Sequence, residues 1–423
     1  MRKFQLTIFI VLMMALVLAA CQTNTATPTA VVEPPSATAT SQPVKASQSG
    51  DPTTCTLLTS LLPEVPADQI PSVPLANEND WMLGSMGADI SLIEYTDFQC
   101  PYCALAAPEL ERFQADFNNR VNLVIRHFPL ISIHNKAVQA AKAAEAAGAQ
   151  GKFFEMHDLL YQEQSVWSAE DITVEQFDTY LQDAAQKLGL NMEKFNTDYN
   201  DEAIKTKIDN SYKEATETLN LTGTPTVFMV INGIPYQAPR DYETLVGILR
   251  LVDLDKNRYT DCPPMVIDPA KKYTATISTT KGTVVAELYA DKAPLTVNSF
   301  VFLARDGYFD NADFHRVIPG FVAQAGDPSG SGFGGPGYQF ANEISDLTFD
   351  SEGVLGMANA GDGTNGSQWF ITYAAQPNLD GKYTVFGKVT EGMDIVNNLT
   401  TRDPQQGVLA DPDLILGISI SEN

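Results

Sequence analysis

The spacing of the cysteines constrains the fold of this chain more than any other feature of the sequence. The motif CPYC at residues 100–103 directly follows a predicted buried strand at residues 91–95 and opens a helical pattern. A thiol at a helix N-terminus meets the positive end of the helix dipole and unpaired N–H groups, and both stabilise a thiolate. We therefore predict that Cys100 is the exposed, attacking sulfur and that Cys103, one turn deeper, is the resolving sulfur.

A zinc site is the alternative interpretation of such a cysteine pair. Zinc would need two further ligands at close spacing, and the sequence has neither a second C-x-x-C nor a closely spaced pair of histidines. A redox-active dithiol is therefore the better interpretation. The sequence predicts no metal site and no cofactor.

Two isolated cysteines, Cys55 and Cys262, bracket the segment that contains CPYC. In an oxidising compartment we expect them to bond to each other and to clasp the two ends of one domain. Two buried free thiols, or pairing with other cysteines, are the alternatives.

The N-terminus has the pattern of an export signal. Two basic residues precede an apolar run at residues 6–20, and this run is shorter than the roughly 20 residues that span a bilayer. We predict a signal peptide at residues 1–20 rather than a permanent transmembrane helix. The sequence LAAC at residues 18–21 resembles a bacterial lipobox, which implies that Cys21 carries a lipid anchor. The protein is then an extracytoplasmic, membrane-anchored lipoprotein, on the cell surface or the periplasmic side.

Composition limits the partners and the number of domains. Residues 21–50 are rich in Thr, Ala, Ser and Pro, contain no aromatic residue, and are predicted to be a disordered linker. The length of 423 residues suits two or three domains rather than one, at roughly 150 residues per domain. The formal net charge of −25 has the wrong sign for the phosphates of nucleic acids, so no nucleic-acid partner is expected.

The first domain is predicted at residues 51–262. Its sequence IEYTDFQCPYC, at residues 93–103, resembles the DsbA-like branch of the thioredoxin superfamily, and the resemblance extends over about residues 75–250. It implies an α/β thioredoxin-like fold. It also implies that Glu94 is a buried carboxylate that shuttles the proton of the inner thiol. A solvent-exposed acid at the end of a strand is the alternative.

The same resemblance assigns roles to the motif TGTPT at residues 222–226. It implies that Pro225 follows a cis peptide bond and faces the dithiol, and that the backbone of Thr224 pairs with an extended substrate. The dipeptide NG at residues 232–233 predicts a type I′ hairpin turn between two strands.

Residues 135–219 are predicted to be a helical insertion. Its function is that of a lid or a substrate wall, or it is a plain structural cap. We expect four helices in it, at residues 136–147, 153–163 and 174–188 and one that ends near residue 212. Three scattered histidines are treated as structural: His127, His134 and His157.

The pattern changes after a polar linker at residues 263–270. Residues 271–423 contain short β-rich runs and Gly-rich loops, which are typical of a closed antiparallel barrel. Runs at residues 273–279 and 283–289 predict a hairpin, and Pro294 starts a helix that ends near Gly307.

Three stretches of this second domain resemble a cyclophilin, a family of peptidyl-prolyl isomerases. They are FHRVIPGFVAQ at residues 314–324, GMANA at 356–360 and NGSQWF at 365–370. Prolyl isomerisation breaks no bond, but the amide loses its resonance as it twists, at a barrier of roughly 18–20 kcal/mol. The resemblance implies that Arg316 is the cation that hydrogen-bonds the twisted amide. A surface ion pair is the alternative for this residue.

The resemblance further implies a pocket for the proline ring and a set of residues that hold the peptide backbone. The pocket residues are Phe321, Val322, Phe370 and Leu379, and the backbone-holding residues are Gln324, Ala358, Asn359 and Gln368. Asn378 stands where the family usually has a tryptophan, and Tyr383 replaces a histidine.

One motif of the second domain is misleading. GSGFGG at residues 330–335 fits G-x-G-x-x-G, but Pro336 and Gly337 follow at once, where a dinucleotide loop would open a helix. Nucleotide binding is therefore not predicted.

Together these patterns predict a multidomain extracytoplasmic folding factor that combines prolyl isomerisation with thiol–disulfide exchange. Its expected partners are unfolded or partly folded exported polypeptides and a membrane or soluble redox partner. The alternatives are a tethered peptide-binding chaperone with incidental turnover and a dedicated thiol reductant for one membrane partner. The direction of the redox reaction stays open, because the residues between the two cysteines do not fix the potential.

Overall fold

The structure is a computed structural model that describes residues 55–403 and 410–423. The predicted signal peptide, Cys21 and the linker at residues 21–50 lie outside the described residues. The described residues build two large hydrophobic cores, one in each predicted domain. Within these ranges, the helices are all too short or too polar to cross a membrane.

The first domain contains a five-stranded sheet. The strands of this half of the chain are β1 (Thr56–Leu57), β2 (Trp81–Leu83), β3 (Ile90–Thr96), β4 (Val121–His127), β5 (Thr226–Ile231) and β6 (Ile234–Ala238). The order across the sheet is β2-β4-β3-β5-β6, and β1 lies outside it. Strands β3 and β4 are parallel and almost completely buried, as strands covered on both faces must be. Asn232 and Gly233 both have positive φ, as a type I′ turn between β5 and β6 requires.

Helices cover this sheet. They are α1 (Pro101–Asp116), α2 (Ala137–Gly148), α3 (Phe153–Gln162), α4 (Gln164–Trp167), α5 (Val174–Lys187), α6 (Met192–Tyr199), α7 (Glu202–Lys213), which continues into a π-helical turn (Glu214–Thr218), and α8 (Tyr242–Lys256). Helices α2 to α7 form the predicted insertion. The last predicted helix is divided into α6 and α7, because the Asp201 side chain accepts a hydrogen bond from the backbone N–H of Ala203 and starts a new helix.

The second domain is mainly β. Its strands are β7 (Tyr273–Thr279), β8 (Gly282–Leu288), β9 (Ala312–Asp313), β10 (Arg316–Ile318), β11 (Val322–Ala325), β12 (Tyr338–Gln339), β13 (Val354–Met357), β14 (Trp369–Thr372), β15 (Val385–Glu391) and β16 (Leu414–Glu422). Nine of them form one sheet in the order β10-β11-β14-β13-β15-β8-β7-β16-β9. The helices here are α9 (Pro294–Arg305), α10 (Met393–Asn397) and a 3-10 turn (Pro377–Leu379). The mainly β architecture is confirmed. Strands β10 and β9 are the two edges of this sheet. Complete closure of the barrel therefore stays a prediction.

Residues 55–61, which we call the strap, connect the two domains. Cys55 and Cys262 form a disulfide, and β1 pairs antiparallel with β12. The sequence analysis assigned these residues to the first domain, but they form their strand with the second. No local pattern signals this pairing, since the two strands are about 280 residues apart in the sequence.

Candidate functional sites

The CPYC motif lies where β3 delivers the chain to the start of α1. Cys100 is the N-cap residue of α1, with Pro101 in the first turn, and both Cys100 and Cys103 are free thiols. In its thiol form the Cys100 side chain donates a hydrogen bond to the carbonyl oxygen of Thr224, at 3.4 Å. Cys100 is only 4% exposed, so the prediction of an exposed sulfur is wrong. The segment around Thr224 covers a thiol that the position in the helix alone would leave open.

The two thiols have opposite acidities. The hydrogen bond from the Cys103 thiol is the largest influence on Cys100 and lowers its pKa to about 5, with smaller contributions from backbone N–H groups of the helix N-terminus. Burial raises the pKa of Cys103 well above its ordinary value. The helix-dipole argument therefore gives the correct direction for Cys100, but the neighbouring thiol contributes more. At neutral pH the pair holds one thiolate and one thiol.

Glu94 lies at the centre of the sheet, on β3. It is completely buried, so it is not the exposed strand-end acid of the alternative interpretation. Its Oε1 accepts a hydrogen bond from the Thr96 hydroxyl at 2.6 Å, while its Oε2 has no partner among the described residues. Desolvation raises the pKa of Glu94 to about 7. A carboxyl with this pKa can both accept and return a proton near neutral pH.

Thr96 and Tyr161 extend the environment of Glu94, and the sequence analysis did not identify either of them. The Tyr161 hydroxyl, on α3, lies 2.7 Å from the Thr96 hydroxyl. Thr96 also hydrogen-bonds the Cys103 thiol, which partly offsets the rise in the pKa of that thiol. The Thr96 hydroxyl thus stands between the inner thiol and Glu94.

The segment 222–226 faces the dithiol. The Thr224–Pro225 peptide bond is cis. Because the carbonyl of Thr224 contacts Cys100, a polypeptide that reaches this sulfur also lies next to Thr224.

The helical insertion contacts the dithiol through Gln164, which begins α4. Its Nε2 donates hydrogen bonds to the carbonyl oxygens of Phe98, at 2.7 Å, and Cys100, at 2.9 Å. A buried glutamine at a helix start gives no sequence signal of its own. These bonds tie the insertion to the backbone at Cys100.

His157 is part of a cluster that could resemble a metal site. Ligand atoms of Glu111, His157 and Asp158 lie within 4.8 Å of one another. Burial alone would lower the pKa of His157, but its hydrogen bonds to Asp158 and Glu111 raise it to about 9. Both carboxylates contact the same imidazole nitrogen, Nδ1, at 3.3 Å for Glu111 and 2.9 Å for Asp158. The geometry is that of an ion-paired histidine.

Large apolar side chains are exposed on α1 and on two segments that hydrogen-bond to residues 97–100, the loop after β4 and α4. Residues of α1, of the loop after β4 and of α4 are each more than half exposed: Tyr102, Leu105, Ile131, Ile133 and Val166. Exposed apolar residues in one neighbourhood commonly mark a surface that contacts other polypeptides.

The second site is built by three neighbouring strands. Arg316 on β10 lies opposite Gln324 on β11, which lies opposite Phe370 on β14. The guanidinium of Arg316 donates a hydrogen bond to Gln324 Oε1 at 3.4 Å and lies 5.4 Å from the centre of the Phe321 ring. The partner of Arg316 is thus an amide rather than the carboxylate of a surface ion pair.

A cavity of about 100 Å³ opens beside Arg316. It is lined by Arg316, Phe321, Val322, Gln324, Ala358, Asn359, Phe370, Leu379 and Tyr383. Of the predicted site residues of this domain, Gln368 is not in this lining, but it accepts a hydrogen bond from Gln324 Nε2 at 2.9 Å. The sequence analysis noted Tyr383 only as a departure from the family pattern, and its ring packs edge-on against Phe370. A small apolar pocket beside one cation suits a proline ring and its twisted amide.

The Gly-rich loop at residues 330–335 wraps around a carboxylate of its own domain. Backbone N–H groups of Ser329, Gly332 and Gly334 donate to the Asp327 carboxylate at 2.8–2.9 Å. The donors that a nucleotide phosphate would need are therefore already occupied. Gln368 Nε2 donates to the carbonyls of Gly332 and Gly334, which fastens the loop to the second site.

Comparison with known proteins finds a family model for each of the two domains. Residues 274–419 match the family model described as cyclophilin type peptidyl-prolyl cis-trans isomerase/CLD, and residues 76–250 match the thioredoxin model. Peptidyl-prolyl cis-trans isomerase-like 1 of Gibberella zeae is 49% identical over 127 residues, which cover 29% of this chain and 78% of the relative. Peptidyl-prolyl cis-trans isomerase CYP18-2 of Arabidopsis thaliana is 47% identical over 128 residues, with the same two coverages.

A solved structure is also similar, the cyclophilin type peptidyl-prolyl cis-trans isomerase of Cryptosporidium parvum. The two sequences are 36% identical, the match covers 36% of this chain and 99% of the solved chain, and the TM-score is 0.34. On the sequence identities and the family match, the chain belongs to the cyclophilin-type peptidyl-prolyl cis-trans isomerases and carries a thioredoxin-like domain ahead of its isomerase domain.

Proposed function

We propose that this chain is an exported, lipid-anchored folding factor that isomerises prolyl bonds and exchanges disulfides in the same polypeptides. Disulfide exchange and prolyl isomerisation are two of the slow steps of folding, on scales of seconds to hours and of tens of seconds. The observation that carries the redox half of the proposal is the position of Cys100, at the N-cap of α1 with Cys103 as a hydrogen-bonded, less acidic partner.

The isomerase acts by binding the twisted amide better than the planar one. The cavity of about 100 Å³ holds the proline ring, and Arg316 donates to the amide nitrogen as that atom gains lone-pair character. Gln324 accepts from Arg316 and so keeps the guanidinium directed along the pocket. The rate follows from this preferential binding, without a nucleophile.

The thiol–disulfide reaction begins when the Cys100 thiolate attacks one sulfur of a substrate disulfide. The substrate S–S bond breaks, its second sulfur leaves as a thiolate, and a mixed disulfide forms. The Cys103 thiol then loses its proton to Glu94 through the Thr96 hydroxyl and attacks Cys100. The substrate leaves reduced and Cys100–Cys103 is oxidised. In reverse, the same steps oxidise a dithiol, and a redox partner outside this chain sets the direction.

Membrane attachment and location are proposed from the sequence. The lipobox-like LAAC at residues 18–21 supports an anchor at Cys21, and the Cys55–Cys262 disulfide supports an oxidising compartment. Metabolic labelling with a fatty acid, compared between the wild type and Cys21→Ala, tests the anchor. Label of equal strength in both proteins, or recovery of the mature protein from the cytosol, would contradict it.

The joint action is tested by separating the two activities onto different chains. A mixture of full-length Cys100→Ala and full-length Arg316→Ala holds each site at the same concentration as the wild type, but never on one molecule. Because a tethered site acts at a raised local concentration, the wild type should refold a substrate with disulfides and cis-prolines faster than the mixture. Equal rates would refute joint action.

A tethered peptide-binding chaperone is the second candidate, and the exposed apolar residues around Cys100 favour it. The double variant Cys100→Ala/Arg316→Ala separates the two. If it still prevents aggregation and supports refolding as well as the wild type, binding is the function and turnover is incidental.

A further inference from the structure

A larger cavity adjoins the proline pocket. Its volume is about 410 Å³, against about 100 Å³ for the proline pocket. Gln324, Ala358 and Asn359 line both cavities. Residues of a peptide that are adjacent to a proline in the small cavity can therefore enter the large one.

One wall of this larger cavity comes from the strap, outside the isomerase domain. Leu58, Ser60 and Leu61 line it, together with residues 332–335 of the Gly-rich loop. They precede the whole thioredoxin-like domain in the sequence. An isomerase domain without this N-terminal extension would have the cavity open on that side.

The strap is held in place at several points. Its Leu58 N–H donates to the carbonyl of Gly337 at 2.8 Å, and Arg258 donates to the carbonyl of Leu58 at 3.2 Å. The backbone N–H of Leu61 donates to the Asp255 carboxylate at 2.6 Å, at the end of α8. The Cys55–Cys262 disulfide fixes its first residue. The wall is thus pre-organised rather than a loose chain end.

The lining determines which side chain fits. None of the described residues that line the cavity is charged. A charged side chain would lose water without gaining a partner, whereas a large uncharged one would bury apolar surface against Leu58 and Leu61.

We propose that the strap, by supplying an apolar wall to this cavity, makes the isomerase of this chain prefer a bulky, uncharged side chain near the proline. The proposal rests on the proposed isomerase function and names its substrate class. The thioredoxin-like half of the chain then contributes to the choice of prolyl bonds through its N-terminal extension.

The test uses the full-length protein and a panel of short proline peptides with Ala, Leu, Phe, Glu or Lys at each of the three positions on either side of the proline. Both kcat/KM for isomerisation and the Kd of each peptide are measured. At one position the wild type should prefer Leu or Phe over Ala and Glu by roughly tenfold, because apolar pocket contacts discriminate on this scale. Leu58→Ala should reduce the preference by about fivefold, and Leu58→Trp, which fills the cavity, should abolish it.

Leu57→Trp is the matched control, because Leu57 is the adjacent strap residue, is exposed and does not line the cavity. It should keep the wild-type preference. Cys55→Ser/Cys262→Ser, which frees the strap without touching the cavity, should weaken the preference and gives a second test.

The outcomes separate the two proposals. Turnover of all peptides with no preference, or with a preference that the Leu58 and cysteine variants leave unchanged, overturns the strap subsite while the isomerase function stands. Absence of turnover in the wild type refutes the isomerase function, and the Kd values then still decide whether the strap selects peptides.

Discussion

The two candidate sites of this chain differ in how far they are withdrawn from solvent. In the thioredoxin-like domain Glu94, Thr96 and Cys103 are at most 1% exposed. In the isomerase domain Arg316 is partly exposed at the mouth of a small cavity, and its partner is a neutral amide.

The difference follows from the chemistry. Disulfide exchange moves protons and electron pairs, so it needs groups whose pKa values burial and hydrogen bonds have shifted. Prolyl isomerisation breaks no bond, so a fixed cation and a pocket of suitable shape suffice. Variants of the first site should therefore alter the pH dependence of disulfide exchange, and variants of the second should alter only the rate of prolyl isomerisation.

Cys100→Ala should have the largest effect. The variant has no attacking sulfur, so exchange should fall to the uncatalysed rate in an assay that follows the reduction of a model disulfide. Isomerisation of a proline peptide by the same preparation should be unchanged. Cys103→Ala is the matched control, since it should still form the mixed disulfide and then stall. Exchange retained in Cys100→Ala would place the reactive sulfur elsewhere.

Arg316→Ala should have the next largest effect and reverse this pattern. Loss of the proposed donor to the twisted amide should lower kcat/KM for isomerisation by roughly 10²–10³-fold, about 3–4 kcal/mol, with exchange unchanged. Arg316→Lys keeps the charge and should recover part of the activity. A decrease of less than about tenfold in Arg316→Ala would mean that pocket shape, rather than the cation, dominates.

The candidate residues of both sites could be named from the sequence, because each set lies within a short motif. CPYC follows a buried strand, and Arg316 and Gln324 lie on two strands joined by a tight turn. The groups that contact these candidate residues from other segments could not be identified from the sequence. Gln164 reaches the dithiol from an insertion that begins more than 30 residues after it, and the burial of Cys100 depends on a segment more than 120 residues away. Such contacts are set by the tertiary path of the chain and leave no local periodicity.

Glu94→Gln should slow exchange without stopping it. The wild-type rate of the step that uses Cys103 should rise as pH passes about 7, where Glu94 ionises and can accept the proton. The variant should lose this inflection and be roughly 100-fold slower at pH 8, at the lower end of general-base effects. Rapid-mixing measurement of mixed-disulfide decay between pH 5 and 9 follows the step. An unchanged inflection would assign it to another group.

The same variant should change the pH dependence of stability. The folded state keeps the proton of Glu94 up to about pH 7, while the unfolded state releases it near the ordinary value of 4.5. The contribution of Glu94 to the free energy of unfolding of the wild type therefore falls as pH rises through this window, by about 3 kcal/mol in total. Glu94→Gln has no such ionisation, so its stability relative to the wild type should increase from pH 4.5 to 7 and then level off. A constant difference in denaturant titrations would contradict the raised pKa.

Gln164→Leu should have the smallest effect and would show whether the insertion takes part in catalysis. The variant removes the side-chain donor of the Phe98 carbonyl, at about 1–3 kcal/mol, whereas the Cys100 carbonyl keeps the backbone N–H groups of Cys103 and Ala104, so both stability and exchange should decrease. Thr173→Ala is the matched control, because it removes the capping box of α5 in the same insertion, away from the dithiol, and costs about 1 kcal/mol. If the insertion positions Cys100, Gln164→Leu should slow exchange several-fold at saturating substrate, while Thr173→Ala changes stability alone. Equal exchange rates in the two variants would mean that the insertion is a plain cap on the sheet, and that the first site owes its tuning to the buried strand β3 and helix α1.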